Sequence, residues 1–246
     1  MRPRKVRRAV RRRVFERRVC RGAEIEAGPP LVRLGTDYGG WVVPAGLIGG
    51  GWICYCAGAG MDVSFELGLI ASCGCRVWSF DPAEDSRRYV ERLAAATNRL
   101  SFRQVALWWT DARVRMYRAA DETHCSLSAA NLQGTDRWVE APGRSLESLM
   151  EELGHDRVDL LKADLEGSEY EVLEPQAVAD AGVRVLCFEL HAVAPAKAAL
   201  AFLEGFRDVG FRPVHRELER FTLVREGVPA AEAAYASERT RSVLAP

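Results

Sequence analysis

The stretch LLKADLEGSEYEVL (residues 160–173) changes abruptly from an apolar run to a cluster of acids arranged around one glycine. An apolar run such as VDLL (residues 158–161) is typical of a buried parallel strand, and acids in the turns that follow are typical of a helix start. This strand, turn and helix predict an open sheet, in which ligands bind at the carboxyl ends of the strands. The sequence therefore predicts that the acids face a ligand.

Apolar runs of strand length alternate with segments of helical spacing along most of the chain. The strand-like runs occupy residues 52–57, 75–80, 102–107, 157–163 and 183–190. This alternation predicts a parallel sheet with helices on both faces, and the closely spaced runs FRPVH (211–215) and FTLVR (221–225) predict an antiparallel finish. Residues 108–142 show no regular pattern, apart from an alternation at residues 114–117 that resembles an edge strand.

Length and composition point to a single large domain. The chain has 246 residues, of which 48% are hydrophobic. No apolar run approaches the roughly 20 residues that span a bilayer, and the N-terminus lacks the apolar core of a secretory signal. An odd set of seven cysteines fits a reducing compartment. We therefore expect a soluble, cytoplasmic protein.

The net charge of zero hides a strong asymmetry. Residues 1–21 carry eleven Arg and Lys against one acid, Glu16, while the rest of the chain carries 23 bases and 33 acids. We predict a basic N-terminal arm at residues 1–21, a domain at 22–228 and a C-terminal tail at 229–246. The spacing of Val6, Val10 and Val14 indicates an amphipathic helix. The arm could touch nucleic acid, an anionic membrane or an acidic partner, or it could lie on the acidic body of the protein or be solvated. No pattern indicates specific nucleic-acid readout.

The ends of the first two predicted strands favour a nucleoside ligand. Gly58 and Gly60 allow a close backbone approach at the turn into a helix. Asp81 follows Gly58 by 23 positions, where an acid can accept hydrogen bonds from ribose hydroxyls. Asp62 stands in place of the third glycine of a dinucleotide site and would repel a pyrophosphate, whereas an amine or a sulfonium would suit it.

Several segments together resemble the FkbM family of S-adenosylmethionine-dependent methyltransferases, namely YCAGAGMDVSFE, WSFDP, RSLESLMEELGHDRVDLLKADLEGSEYEVL, CFELH and RELERFTLVR. The resemblance covers about residues 38–225. It implies a class I methyltransferase fold, an α/β domain whose seven-stranded, mostly parallel sheet has the order 3-2-1-4-5-7-6. It also implies S-adenosylmethionine as cofactor and O-methylation of a hydroxyl on a sugar or a secondary metabolite.

The cofactor is expected to contact residues at the ends of the first, second and fourth strands: Cys56, Gly58, Ala59, Gly60, Asp62, Asp81, Pro82 and Asp164. Cys56 departs from the acid that many class I methyltransferases carry at that position. That leaves the methionine amine to Asp62 or to a backbone carbonyl.

Catalysis is expected from Asp164, Glu166 and His191. Asp164 and Glu166 alternate along the strand exit and should point the same way. They can orient an acceptor hydroxyl or remove its proton, and His191 is preferred as general base because of its ordinary pKa. Glu169 is expected to be either a helix-start charge or part of the site. No metal is required, although Asp164 with Glu166 could bind a divalent ion.

The acceptor, a small molecule or glycan bearing a hydroxyl, is expected to contact residues from a lid, a loop and two strand ends: Tyr38, Trp41, His124, Glu166 and Glu189. The resemblance makes DYGGW (residues 37–41) part of this lid. Two other functions stay open at this point. One is an NAD(P)-dependent Rossmann oxidoreductase, which shares the early glycines and Asp81, and the other is a non-catalytic, partner-binding protein of the same fold.

Overall fold

The computed structural model describes residues 3–229, and it describes side chains from residue 12 onward. The tail predicted at residues 229–246 lies outside the described residues apart from its first position. The helices are α1 (Pro3–Gly22), α2 (Ser64–Cys73), α3 (Glu84–Ala94), α4 (Leu146–Leu153), α5 (Glu169–Val172), α6 (Pro175–Asp180) and α7 (Ala196–Asp208), with a 3-10 turn at Ala45–Leu47. No helix in this part of the chain is long and apolar enough to cross a membrane.

Thirteen strands accompany these helices within the described residues. They are β1 (Val32–Leu34), β2 (Trp41–Val43), β3 (Ile53–Ala57), β4 (Arg76–Phe80), β5 (Leu100–Arg103), β6 (Ala106–Leu107), β7 (Ala112–Arg118), β8 (Leu127–Ser128), β9 (Trp138–Arg144), β10 (Leu160–Ala163), β11 (Val185–Glu189), β12 (Phe211–Glu217) and β13 (Arg220–Arg225).

Seven of the strands form the main sheet, in the order β12-β13-β11-β10-β3-β4-β5. Counted along the chain and read from β5, this order is 3-2-1-4-5-7-6. Strands β3, β4, β5, β10 and β11 are parallel, whereas β13 pairs antiparallel with both β11 and β12. Strands β3 and β10 lie side by side. The turn with Gly58 and Gly60 after β3 (the glycine turn) and the turn with Asp164 and Glu166 after β10 (the acidic turn) therefore meet at one edge.

Both faces of the main sheet are buried, because alternate strand residues enter different cores. Tyr55, Leu161 and Phe188 lie in a core with α4, α6 and α7, whereas Cys54 and Leu160 lie in a second core with α2 and α3. The sheet therefore has helices on both faces. This arrangement explains the near-continuous apolar runs of β3, β10 and β11.

The segment without a clear sequence pattern contains a second sheet, with the order β6-β9-β7-β8. The run at residues 102–107 was predicted as one strand. Instead it divides into β5 of the main sheet and β6 of the second sheet. The expected edge strand β7 is an inner strand, because it pairs with both β8 and β9. Short strands separated by long loops give too little periodicity for these elements to be predicted from sequence.

The basic arm is helical and its second half packs on the domain. Phe15 and Val19 are buried in the core that contains α7, whereas Val14 is 44% exposed. The apolar face predicted through Val14 is therefore wrong at this position, and the side chains of Val6 and Val10 lie outside the described part. Because Phe15 and Val19 are four residues apart, they lie on one side of the helix and attach it to the body.

Candidate active site

A cavity of about 480 Å³ opens at the carboxyl ends of β3, β4 and β10, between the main sheet and the second sheet. Its volume lies in the range of small-molecule sites, roughly 300–1,000 Å³. The cavity wall includes most of the predicted site residues, namely Tyr38, Trp41, Gly58, Ala59, Gly60, Asp62, Asp81, Pro82, His124, Asp164 and Glu166. Leu107 and Met116 form part of an apolar side contributed by the second sheet.

The glycine turn is forced by a close approach of two chain segments. Gly58 has a φ of +83°, and a Cβ atom there would lie 2.1 Å from the carbonyl oxygen of Asp164. No side chain fits that space, so a glycine is required for both reasons. The backbone N–H of Asp164 donates to the carbonyl of Ala57 at 3.1 Å, which continues the pairing beyond the strands. The turns after β3 and β10 are thus held in direct contact.

Asp81 fixes the far side of the glycine turn. Its Oδ2 accepts from the backbone N–H of Gly60 at 2.8 Å, and its Oδ1 accepts from that of Ala83 at 2.8 Å. Burial raises the pKa of Asp81, although these hydrogen bonds oppose that effect. The carboxylate also lines the cavity, where it can accept from a ligand hydroxyl.

Asp62 connects the segment before β2 to the start of α2. It accepts from the Thr36 hydroxyl at 2.5 Å and from the backbone N–H of Ser64 at 2.9 Å. Burial would raise the pKa of Asp62, but the hydrogen bonds from Ser64, Thr36 and Gly39 outweigh it and lower the pKa. Asp62 is therefore an ionised group in the cavity wall that also positions the lid residues next to it.

Cys56 does not fit its predicted contact with the cofactor. Its side chain is fully buried in the core that contains α2 and α3, away from the cavity wall. The reason is the alternation of side chains along β3, which turns this position toward the helices. The predicted cofactor contact of Cys56 is therefore not supported for its side chain.

A buried lysine lies under the glycine turn. Lys162 donates from Nζ to the carbonyl of Gly58 at 2.5 Å and to that of Ala57 at 3.2 Å. Glu66 is 1% exposed, and burial raises its pKa to about 7, although the charge of Lys162 lowers it. From the sequence, Lys162 is expected to have a structural role and to pair with an acid in the core layer, but Glu66 was not identified as that acid. The signal for Glu66 is its position on the buried side of α2, three residues before Leu69.

Asp164 and Glu166 lie together in the cavity wall. Glu166 has a φ of +51°, and its carbonyl accepts from the Ser128 hydroxyl at 2.7 Å, which connects the acidic turn to the second sheet. Burial and then the charge of Asp164 raise the pKa of Glu166 to about 7, although His191 opposes this rise. Glu166 is therefore able to gain and lose a proton near neutral pH.

Glu169 is a fully buried centre of contacts. Its Oε1 accepts from the backbone N–H groups of Leu165 and Gly167 at 3.0 and 3.3 Å, and it lies 2.8 Å from Nδ1 of His191. Its Oε2 has no hydrogen-bond partner among the described residues. A helix-start charge alone does not explain these contacts, because this carboxylate also shapes the turn that carries Glu166.

His191 lies behind Glu166, outside the cavity wall, with its side chain 16% exposed. Burial alone would lower its pKa, but the hydrogen bond and charge of Glu169, with Asp164 and Glu189, raise the pKa to about 10. The ring is then protonated at neutral pH and cannot accept a proton. The preference for His191 as general base therefore disagrees with the geometry, which gives it the role of a buried cation.

Glu189 also lies outside the cavity wall. It accepts from Nε of Arg220 at 3.0 Å, and Arg220 itself lines the cavity beside Trp41, with its guanidinium 5.2 Å from the ring centroid. The expected substrate contact by Glu189 is therefore not supported by its position, because it lies outside the cavity wall and its Oε2 is paired with Arg220. Arg220, which the sequence reasoning missed, takes its place at the cavity.

Asp164, Glu169 and His191 each offer a ligand atom within 4.8 Å of the other two. Glu169 and His191 already contact each other at 2.8 Å, and a metal ion would have to replace this contact. The geometry therefore favours an ion pair at this position.

The chain is similar to known proteins in both sequence and fold. "Probable methyltransferase-like protein 24" from Homo sapiens is 31% identical over 140 residues, which is 56% of this chain and 32% of that protein. The protein of the same description from Rattus norvegicus is 30% identical over the same extent. The matched region thus spans about a third of the length of these curated relatives. A solved structure of methyltransferase FkbM from Methylobacillus flagellatus KT aligns with 72% of this chain and 44% of its own, at a TM-score of 0.49 and 16% identity.

The sequence pattern of the family described as "Methyltransferase FkbM domain" matches residues 60–213. These residues contain the glycine turn from Gly60, the acidic turn with Asp164 and Glu166, and most of the main sheet. Because the match covers more than half of the 246 residues, the chain belongs to the FkbM methyltransferase family.

Proposed function

We propose that this chain transfers the methyl group of S-adenosylmethionine to a hydroxyl oxygen, on a sugar or a secondary metabolite. The observation that carries the proposal is the position of Asp164 and Glu166 in one cavity with the glycine turn. Glu166, with a pKa of about 7, is suited to take the proton that a hydroxyl loses when it is methylated.

The charges of the cavity suit a cationic donor. Four acids line it, Asp62, Asp81, Asp164 and Glu166, against the two bases Lys162 and Arg220. The acids outnumber these bases, so the cavity wall carries an excess of negative charge. S-adenosylmethionine carries a sulfonium and an ammonium group, and it supplies an activated methyl group when bound. The residues present therefore fit this cofactor.

The chain offers a contact for each part of the cofactor. Asp81 would hold the ribose hydroxyls, and the apolar side formed by Leu107 and Met116 would hold the adenine. The turn from Gly58 to Gly60 would approach the donor closely, and ionised Asp62 would attract its ammonium group.

The acidic turn carries the residues of this chain that would act on the acceptor hydroxyl. Asp164 would orient the acceptor hydroxyl, and Glu166 would accept its proton at a carboxylate oxygen. His191 lies 3.7 Å from Glu166 and, as a buried cation, would keep part of that carboxylate ionised. Tyr38 and Trp41 would cover the acceptor and exclude water, which strengthens the charge interactions within the cavity.

An NAD(P)-dependent oxidoreductase fits less well, because ionised Asp62 lines the cavity together with Gly58 and Gly60 and would repel a pyrophosphate there. Isothermal titration of the purified chain with S-adenosylhomocysteine and with NAD separates the two functions. Binding of the first alone is expected, and binding of NAD alone would contradict the proposal.

A non-catalytic protein of the same fold is tested by activity. Methyl transfer should be assayed with isotopically labelled cofactor and a panel of hydroxyl acceptors, including glycans. Turnover that is lost in Glu166→Gln but kept in Glu171→Gln, an exposed acid of the next helix, is the expected result. Cofactor binding without turnover on any acceptor would favour the non-catalytic alternative. The cytoplasmic location expected from the composition remains part of this proposal.

A further inference from the structure

Helix α1 extends past the edge of the main sheet at which the cavity opens. Arg216 donates to the carbonyl of Cys20 at 2.7 Å, and Arg12 forms an ion pair with Glu219 at 2.5 Å. Residues 216–219 of the β12–β13 hairpin therefore lie beside residues 12–20 of α1, and the two segments run in opposite directions. Residues 3–11 continue in this direction, and at about 1.5 Å per residue they reach roughly 13 Å beyond Arg12.

The tip of this hairpin lies at the rim of the cavity. Arg220 follows the tip, pairs in register with Glu189 at the end of β11, and lines the cavity. It also donates to the carbonyl of Gly40 at 3.4 Å, next to the lid residue Tyr38. The first half of α1, the hairpin tip and the lid therefore lie on the same edge of the domain.

Two exposed apolar side chains occupy this edge. Leu218 is the first residue of a two-residue hairpin loop, has a φ of +56° and is 65% exposed. Glycine or asparagine is preferred at such a position, because a branched side chain is strained there. Tyr38 is 74% exposed at the cavity mouth. Leu218 combines backbone strain with exposure to water, and neither helps the chain to fold.

The same edge carries a concentrated positive charge. Residues 3–13 contain seven bases and no acid. Like charges three and four residues apart, such as Arg4 with Arg7 and Arg8, destabilise an isolated helix. Further along α1, exposed Arg13 and Arg17 form no ion pair within the described part of the chain. A negatively charged surface would remove this repulsion.

We propose that residues 3–13, Leu218 and Tyr38 form a docking edge for an anionic phospholipid surface, with the cavity opening toward the headgroups. A basic helix beside exposed apolar side chains is the combination that binds at lipid interfaces. The cytoplasmic leaflet is negatively charged and attracts such basic segments. A nucleic acid fits less well, because Leu218 offers neither a hydrogen bond nor a flat surface to a base. The docking edge does not depend on methyl transfer.

Sedimentation of the full chain with vesicles tests the charge. Binding is expected to vesicles of phosphatidylcholine and phosphatidylglycerol in equal parts, and not to phosphatidylcholine alone. Removing two charges in Arg7→Gln/Arg8→Gln should weaken binding roughly 25-fold. The matched control is Arg92→Gln/Arg103→Gln, which removes two exposed arginines from α3 and β5, far from α1 along the sheet, and should bind as the unchanged protein does.

Leu218→Asn tests the apolar contact separately from folding. Asparagine tolerates the positive φ, so the variant should be at least as stable as the unchanged protein while binding vesicles more weakly. Equal binding to neutral and anionic vesicles, an equal loss in the control variant, or unchanged vesicle binding by Leu218→Asn would each overturn the proposal. Retention on a single-stranded oligonucleotide without vesicle binding would overturn it in favour of a nucleic acid.

Discussion

Nδ1 of His191 lies 2.8 Å from Oε1 of Glu169, and this contact connects the end of β11 to the turn after β10. The same carboxylate oxygen accepts from the backbone N–H groups of Leu165 and Gly167. One buried acid therefore shapes the turn that presents Glu166 to the cavity. The charge of protonated His191, 3.7 Å from Glu166, would also limit the rise in the pKa of that residue.

Glu166→Gln should lower kcat about 10²- to 10⁴-fold, because the amide cannot accept the proton of the acceptor hydroxyl. Cofactor affinity should change little, since Glu166 acts on the acceptor. Steady-state kinetics and titration with S-adenosylhomocysteine measure the two quantities, with Glu171→Gln as the matched control. Turnover by Glu166→Gln at the unchanged rate would remove this residue from the mechanism.

The rate should depend on pH through Glu166. A general base must be ionised, so kcat/KM should rise as the pH rises through about 7 and then level off. His191→Asn removes a neighbouring positive charge, which raises the pKa of Glu166 and moves the rising limb to higher pH. The pH–rate profiles of the two proteins provide the measurement. A limb that stays in place or moves to lower pH would show that the two groups are not coupled.

Substitution of two neighbouring glycines should have very different effects. Gly60→Ala places a side chain in open space and meets only the unfavourable positive φ, about 1–2 kcal/mol. Gly58→Ala meets a comparable φ and in addition the backbone oxygen of Asp164 at 2.1 Å, so its loss of stability should be clearly larger. Urea unfolding of both variants checks this difference. Equal losses would mean that the turns after β3 and β10 are not in contact.

Stability should also report the buried carboxyl of Glu66. Its pKa in the folded state is about 7, against an ordinary value of 4.5. Below the ordinary pKa value, Glu66 is protonated in both the folded and the unfolded state, so its contribution to the free energy of unfolding is complete there. This contribution is lost as the pH rises to about 7, because the unfolded state ionises first. Glu66→Gln should make that decline shallower, by on the order of 3 kcal/mol at most.

Urea unfolding at about pH 5 and about pH 7.5 measures the decline. Glu151→Gln, an exposed acid on α4, is the control and should follow the unchanged protein. If Glu66→Gln loses as much stability over this range as the control does, Glu66 is not a raised-pKa group.

Methyl transfer should survive removal of divalent metal. Glu169 and His191 already pair with each other at 2.8 Å, so the site is held together without an ion. Treatment with a chelator followed by gel filtration should leave kcat unchanged. Loss of activity that added Mg²⁺ or Mn²⁺ restores would instead indicate a metal at Asp164, Glu169 and His191.

The sequence predicted the parts of the fold that repeat a strong pattern. The apolar runs of β3, β10 and β11 were recognised because their residues are buried on both faces of the sheet. The second sheet was missed, because its strands are short and lie between long loops. Most of its stabilising contacts are with distant segments, as in the hydrogen bond from Ser128 to Glu166, and no local pattern encodes them.

The sequence indicated where the acids Asp164 and Glu166 lie, but it did not indicate the surroundings of His191 and Cys56. Asp164 and Glu166 reach the cavity because strand ends in a parallel sheet meet at one edge. The raised pKa of His191, which disfavours it as a base, depends on Glu169, and a strand position cannot reveal this contact. Cys56 was misplaced because the sequence does not show which face of β3 points to the helices.

The position of S-adenosylhomocysteine in a crystal of the complex tests the proposed function most directly. Its sulfur should lie between the turn at Gly58 and the carboxylates of Asp164 and Glu166, with the ribose at Asp81. A nucleoside bound outside this cavity would contradict the proposal. Side chains of Asp164 and Glu166 turned away from the sulfur would contradict it equally.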